Sequence, residues 1–334
     1  IDFLFIHSQK SKRVDIGLYG GEPFLKFPMI KQIVNYSDAI FDGKEHSYSI
    51  TTNGSILNDD IIEFVLDHNM DIVISLDGPR EIHNKNRRLS HNGEGSFDVI
   101  MENLQWAKDN YPDFIKRVHF NMVLDPQYSP DCLNELFVDF DFLERSNARA
   151  TVIDDTFLPI EKSEYNDFLA FLSTWGRIDR EKLTPLSERF IDMVVSKKEL
   201  VDKVNRLPSH LSHSGPCLPG VQRPFVDVDG NIMPCERCSE LSDCMKIGDL
   251  VKGFDIEKSK KLLNICEITK EECQTGWALF HCTVCAAQIV DGNDLSREKK
   301  LIECGRSKRQ AHAQLLDFIM MKEIKDHKKA RASR

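Results

Sequence analysis

From Val14 to about Asp155 short apolar runs alternate with amphipathic stretches, the pattern of repeated β-α units around a parallel sheet or barrel. Residues 14–19, 47–50, 71–76, 118–124 and 150–153 are the predicted strands, and residues 28–39, 59–68, 97–110 and 132–144 carry helical spacing between them. Asn58 followed by Asp59 and Asp60 marks a helix start, a side-chain cap with acids in the first turn. Residues 1–8 read as the middle of a helix with no Met or capping residue ahead of them, so the chain is expected to begin inside a domain. Two further helical pieces, 162–175 and 181–206, make residues 156–210 a connector. Beyond it, residues 225–228 and 232–234 flank Asp229-Gly230-Asn231, a hairpin signal. The expected divisions are therefore a barrel-like region over 1–155, the connector over 156–210, a small domain over 211–310 and a basic helix or tail over 311–334.

Composition narrows the class. With 334 residues, 41% hydrophobic and 29% charged, the chain is a folded globular protein with room for one large domain and a smaller one. Its net charge of −9 argues against nucleic acid as the main partner, although residues 305–334 hold nine Lys/Arg against three Asp/Glu. No apolar run reaches the length needed to span a bilayer and no secretory segment is visible, so a membrane role is not expected and the default compartment is the cytoplasm. Nine of the ten cysteines lie between positions 217 and 304. In a reducing compartment such crowding favours thiols that hold metal, either iron–sulfur or zinc, over disulfides. Cys132, in a helical stretch, and Cys266, near an apolar run, fit buried thiols better than ligands.

The polar motifs of the first half share one location. Gly20-Gly21-Glu22-Pro23 follows the first predicted strand, Thr51-Thr52-Asn53-Gly54 the second, and Ser75-Leu76-Asp77-Gly78-Pro79 the third. In a parallel β/α arrangement those strand ends lie on one rim, so three segments converge on a single cavity. Gly20 and Gly21 offer unobstructed backbone beside the Glu22 carboxylate, which suits a small ammonium group. Asn53 offers an amide, Ser75 and Asp77 suit ribose hydroxyls, and Arg87 suits a carboxylate. Taken singly, the Gly-Gly-Glu-Pro and Asn-Gly motifs read more readily as turns and Arg87 as a solvated charge, while Ser75 and Asp77 read as well as loop caps.

Together, Leu18-Tyr19-Gly20-Gly21-Glu22-Pro23-Phe24, Thr51-Thr52-Asn53-Gly54 and Ile74-Ser75-Leu76-Asp77-Gly78-Pro79, with His83 and Arg87, resemble radical S-adenosylmethionine (SAM) enzymes that carry a C-terminal SPASM or twitch domain, over about residues 1–310. The resemblance implies an α/β fold: a partial (β/α)6 TIM-like barrel, lacking its N-terminal strand and cluster loop, plus a small α+β SPASM-type iron–sulfur domain. It places the SAM amino group on Gly20, Gly21 and Glu22, with further contacts from Asn53, Ser75, Asp77 and Arg87. It also implies two auxiliary 4Fe–4S clusters. Cys217, twelve residues, Gly230, four residues and Cys235 match the first part of the family's auxiliary pattern. Cys273, Gly276, Cys282, Cys285 and Cys304 resemble the second, with Gly276 where a thiolate is expected and one spacer a residue short. By the family's interleaving, Cys217, Cys235 and Cys285 would hold one cluster and Cys273, Cys282 and Cys304 the other. Each set lacks a fourth ligand, for which Cys238 and Cys244 are the nearest spare thiols, a different ligand type or an open iron being the alternatives.

Within that family the C-terminal motifs look most like maturases that install thioether crosslinks in a ribosomally made Cys-rich precursor peptide, with ferredoxin or flavodoxin as electron donor. Two other readings remain: oxidation of a Ser or Cys side chain in a protein substrate, as in sulfatase maturation, and a non-catalytic metal- or peptide-binding protein. The Cys-x3-Cys-x2-Cys loop that holds the family's SAM-cleaving cluster is absent from these residues, and the family places it upstream of Gly20. The resemblance thus implies an N-terminally truncated enzyme, inactive toward SAM as it stands.

Overall fold

Alternation along the strands and a helical stripe between them build the first layer of the fold. The computed structural model describes residues 1–124, 136, 140, 147–152, 215–312 and 315. It divides into two units, Ile1–Phe190 and Ile191–Arg334. The first opens with α1 (Asp2–His7), β1 (Arg13–Leu18), α2 (Phe27–Ile40), β2 (Glu45–Thr52), α3 (Asp59–Asp67) and β3 (Asp71–Ser75). It continues through α4 (Arg80–Asn86), α5 (Phe97–Asn110), α6 (Pro112–Ile115), β4 (Val118–Leu124) and β5 (Asn147–Val152). All four strand pairings are parallel, in the order β1-β2-β3-β4-β5. Five parallel strands in chain order, with helices in the crossovers, are the partial barrel expected.

One face of this sheet is apolar. Val14 and Ile16 of β1, Tyr48 and Ile50 of β2, Ile72 and Ile74 of β3, and Val118, Phe120 and Met122 of β4 are buried. They share one core with Ile30 and Val34 of α2, Ile61, Ile62 and Val65 of α3, and Ile100, Leu104 and Ala107 of α5. Spacings of three and four on the helices, against two on the strands, put these side chains on facing surfaces. The opposite sheet face is polar: the register sets Gly17 beside Ser49 and Ser75 beside Asn121, with Thr51 and His119 flanking Val73. A face of this character suits a polar ligand better than a sealed apolar core.

Most predicted elements fall within one or two residues of those observed, and 97–110 and 118–124 coincide with α5 and β4. α4 is unforeseen because its seven residues bury only Ile82 and His83, too few to establish a period. The helix expected over 132–144, except for Leu136 and Phe140, lies outside the described residues. So do Ile153, Cys132, the connector over 156–210 and most of the tail over 311–334. Among the described residues no helix is long and apolar enough to cross a membrane.

The second unit has little regular structure. β6 (Phe225–Val226), β7 (Asn231–Met233), β8 (Gly248–Asp249) and β9 (Gly253–Phe254) form an antiparallel sheet in that order. α7 (Ile256–Leu263), α8 (Lys270–Gln274), the two-stranded ribbon of β10 (Val290–Asp291) and β11 (Asp294–Leu295), and a helix α9 over 297–312 complete it. The expected hairpin forms between β6 and β7, organised by a residue upstream of its turn. Asp227 Oδ1 accepts from the backbone N–H of Asp229 (3.0 Å) and of Asn231 (2.8 Å), and Oδ2 accepts from Asn231 Nδ2 (2.8 Å).

Gly248 is the tightest point of this sheet. Its φ is +154°, and a Cβ there would lie 2.2 Å from the Gly253 carbonyl oxygen and 2.9 Å from Phe254 Cα, both backbone atoms with no freedom to swing away. Gly253, with φ +83°, has nothing within 4 Å of its Cβ position. Gly248→Ala should therefore cost about 3 kcal/mol or abolish the sheet, whereas Gly253→Ala should cost about 1 kcal/mol from backbone strain alone. Urea unfolding of the two variants side by side measures the difference.

Candidate functional site

Parallel strands deliver the segments after β1, β2 and β3 to one edge of the sheet, and two carboxylates organise that edge. Glu22 follows β1 and caps the short 3-10 turn Pro23–Lys26, its Oε1 accepting from Phe24 N (3.1 Å). The same oxygen accepts from the Thr52 hydroxyl (2.8 Å) at the end of β2, and Oε2 accepts from Asn53 N (2.8 Å). Thr52 Oγ1 in turn accepts from Gly54 N (3.0 Å). Glu22 thus ties the β1 and β2 loops together while Oε2 keeps acceptor capacity. Asn53 Oδ1 accepts from Ser55 N (2.9 Å) and Ser55 Oγ (2.6 Å), which leaves its Nδ2 without a partner among the described residues.

Gly20 and Gly21 are exposed, and a Cβ on either would meet nothing within 4 Å. Neither has positive φ. Neither packing nor backbone conformation within the described residues requires glycine at these positions. A group bound against the chain would, because a side chain would occupy its place.

Asp77 is the second organiser. Arg87 grips it with two bonds, Nε to Oδ2 (2.5 Å) and Nη2 to Oδ1 (3.1 Å), and Oδ1 also accepts from Val123 N (3.1 Å) in β4. Nη1 of Arg87 has no partner among the described residues. Asp77 N donates to His83 Nδ1 (3.3 Å), so Nε2 carries the ring proton and donates to Ser96 Oγ (2.9 Å). Ser96 Oγ donates weakly to the Arg87 carbonyl (3.4 Å) and closes the ring. Burial drives the His83 imidazole down to about 4 from its ordinary value of 6.5, with Asp77 opposing and Arg87 reinforcing the effect. The β3 loop is therefore braced by a neutral, fully buried histidine, a role the sequence motifs did not show. Ser75 closes β3, largely buried, on the polar face of the sheet.

In the second unit the thiols fall into two groups. Cys235 Sγ lies 3.9 Å from Cys238 Sγ, whose hydrogen bond pulls the Cys235 thiol down. Burial pushes up Cys217 and Cys285, and the Cys235 charge adds to both. Cys285 also feels Cys217, and Cys238 feels Cys285. Cys217, Cys235, Cys238 and Cys285 are thus electrostatic neighbours, so Cys238 joins the first expected set. The backbone N–H groups of Gln288 and Ala287 point at the Cys285 sulfur, as donors to a thiolate would. The second group is Cys273, Cys282 and Cys304. Burial, then charge at Cys282 and Cys273, pushes the Cys304 thiol up, and Lys300 and Lys308 pull it down. Cys244 stands apart, bonded to Ser242 Oγ (3.3 Å).

Gly276, where the resemblance puts a thiolate, has no space for one. A Cβ there would lie 2.9 Å from the Glu272 carbonyl oxygen in the turn that ends α8. Among the described residues no three His, Cys, Asp or Glu side chains converge on a single metal ion. The thiols are thus neighbours in two groups, of four and of three, of a type that holds iron–sulfur clusters or zinc.

The model of the Radical SAM superfamily matches residues 6–139. The cysteine-type anaerobic sulfatase-maturating enzyme of Clostridium novyi is 48% identical over 58 residues, 17% of this chain and 15% of that protein. The radical SAM cyclopropyl synthase TigE of Paramaledivibacter caminithermalis is 28% identical over 130 residues, 39% of this chain and 25% of that protein. The chain therefore matches a quarter or less of the length of either relative. The solved structure of native anSMEcpe with bound AdoMet and Cp18Cys peptide shares the fold, with a TM-score of 0.63 at 16% identity over 95% of this chain and 89% of that one.

The buried histidine makes stability depend on pH in a definite direction. Its folded value, about 4, lies below its unfolded value of 6.5, so the unfolded chain binds the proton more tightly. The contribution of neutral His83 is complete above about pH 6.5 and is lost as pH falls toward 4, about 3 kcal/mol in all. Urea midpoints between pH 7 and 4.5 should fall more steeply for the wild-type chain than for His83→Asn, which keeps an acceptor for Asp77 N and has nothing to protonate.

Proposed function

We propose, from the chain's place in the radical SAM superfamily over residues 6–139, that it belongs to an enzyme installing thioether crosslinks from Cys sulfur to carbon in a Cys-rich peptide. On receiving one electron from the cluster that the family's Cys-x3-Cys-x2-Cys loop holds, bound SAM would supply a 5′-deoxyadenosyl radical for hydrogen abstraction from the peptide carbon. This chain's residues bind and orient. Gly20 and Gly21 give the methionine end of SAM close backbone approach, and Glu22 Oε2 accepts from its ammonium group. The Asn53 amide and the Ser75 and Asp77 oxygens face the nucleoside, and the unpartnered Arg87 Nη1 donates to the carboxylate. Asp77 is braced by His83 and Val123 so that Arg87 is held in one orientation.

The observation that carries the thioether reading is the division of thiols into four and three. Cys217, Cys235, Cys238 and Cys285 fill the ligand count of one 4Fe–4S cluster; Cys273, Cys282 and Cys304 leave one iron of a second without a thiolate. That iron suits the cysteine of a peptide substrate. Ferredoxin or flavodoxin would supply electrons. A second reading, oxidation of a Cys or Ser side chain, is favoured by the similarity to the sulfatase-maturating enzyme. The peptide in the anSMEcpe complex supports a peptide substrate under either reading.

Two measurements on the protein expressed from its full reading frame test these assignments. Gly21→Val should leave the melting temperature unchanged, since the new side chain meets nothing, and weaken SAM binding at least tenfold by calorimetry; unaltered affinity would place SAM elsewhere. The mass of a Cys-rich peptide treated with the enzyme separates the two reactions. A thioether product loses two hydrogens, keeps all its sulfur and has one thiol fewer to alkylate, whereas side-chain oxidation at Ser leaves every thiol free.

A further inference from the structure

The inner face of α9 carries chemistry where a helix ordinarily carries apolar side chains. Lys300 is fully buried, Ser307 and Ala311 nearly or fully so, and Cys304 lies on the same stripe at spacings of three and four. The Lys300 ammonium has two partners: it donates to the Ile265 carbonyl and to Cys273 Sγ (3.7 Å). It forms no ion pair with any described carboxylate: Arg297 pairs with Glu272, Lys299 with Asp291, and the buried Glu303 on the same helix pairs with Arg306.

A buried ammonium without a counter-charge is strongly unfavourable, and one carbonyl does not offset the lost hydration. The other contact, Cys273, belongs to the three-thiol group, and Cys304 of that group is one helical turn from Lys300. Thiolates holding an iron–sulfur cluster are an anionic centre, and the charge Lys300 lacks is the charge such a centre brings.

We propose that Lys300 is the built-in counter-cation of the cluster held by Cys273, Cys282 and Cys304, donating to the Cys273 sulfur and raising the reduction potential of that cluster. The inference rests on the cluster reading above and adds a residue that is not a ligand. Positive charge and N–H···S bonding both favour the more negative, reduced state, so both act in the same direction on the potential. Lys300 is a positioning residue, since it acts on substrate and SAM only through the cluster.

The test uses the chain reconstituted anaerobically with iron and sulfide, counting iron first and then following a redox titration by electron paramagnetic resonance. Lys300→Gln keeps a donor for the Ile265 carbonyl and removes the charge; Lys300→Arg keeps the charge. The wild-type chain should hold about eight irons, the content of two 4Fe–4S clusters. In Lys300→Gln one midpoint potential should move to more negative values while the other stays, and Lys300→Arg should restore it. Two unmoved potentials at full iron content would overturn the proposal. If Lys300→Gln instead retains half the iron, full iron in Lys300→Arg supports the charge requirement and half in both overturns it. Should Lys300→Gln fail to fold, Lys300→Met is titrated in its place and read by the same criteria. No iron in the wild-type chain would overturn the cluster reading itself, and the count reveals that before any potential is measured.

Discussion

Two carboxylates hold the edge of the parallel sheet. The strands end with unpaired backbone N–H groups that neither the apolar core nor the next strand can satisfy, and Glu22 and Asp77 take up that task. Each accepts from the loop that carries it and from a neighbouring strand or its following loop, so the gap between adjacent β-α units is bridged by one side chain. The arrangement does not saturate either site: Glu22 Oε2 and Arg87 Nη1 remain available on the open side, next to two glycines whose missing side chains nothing in the described residues requires. Structure and binding capacity therefore draw on the same residues.

How much of this was legible depended on length and period. β4 and α5 were readable to the residue because seven and fourteen residues carry several cycles of their patterns. α4 was not, since Ile82 and His83 are adjacent and mark no period. The convergence of the three loops followed from parallel topology alone. The internal wiring did not: that Arg87 grips Asp77, that His83 braces the turn and that Asp227 organises the β6–β7 hairpin all depend on side-chain directions across 6 to 46 positions or within one irregular turn. In the second unit, strands of two and three residues have too few positions to show alternation, and only the turn residues betrayed them.

The thiols illustrate the complementary case. The family resemblance implied two interleaved sets, and the mutual electrostatic influence of the sulfurs groups Cys217, Cys235, Cys238 and Cys285 together and Cys273, Cys282 and Cys304 together. Spacing left Cys238 and Cys244 equivalent as spare ligands, because both sit a few residues beyond Cys235. Geometry separates them: Cys238 faces Cys235 and feels Cys285, while Cys244 is engaged by Ser242. Lys300 had no sequence signal, since a lysine in an amphipathic, highly charged helix is ordinarily a solvated one.

Gly276 decides how the three-thiol group is to be understood. Had glycine merely replaced a cysteine in an unchanged turn, space for a side chain would persist and the fourth thiolate would be a simple loss. Instead the backbone closes on the Glu272 carbonyl at a distance no Cβ tolerates, and Gly276 N donates to the Cys273 carbonyl (3.2 Å). The turn that positions Cys273 has thus been rebuilt around the absence of a side chain. A proposed cluster with a position left open by the fold, beside a buried cation that favours added negative charge, is suited to accept an anionic sulfur ligand from outside the chain. The same geometry weighs against any side-chain ligand at position 276, so a fourth ligand for the three-thiol group has to come from another residue or from outside the chain.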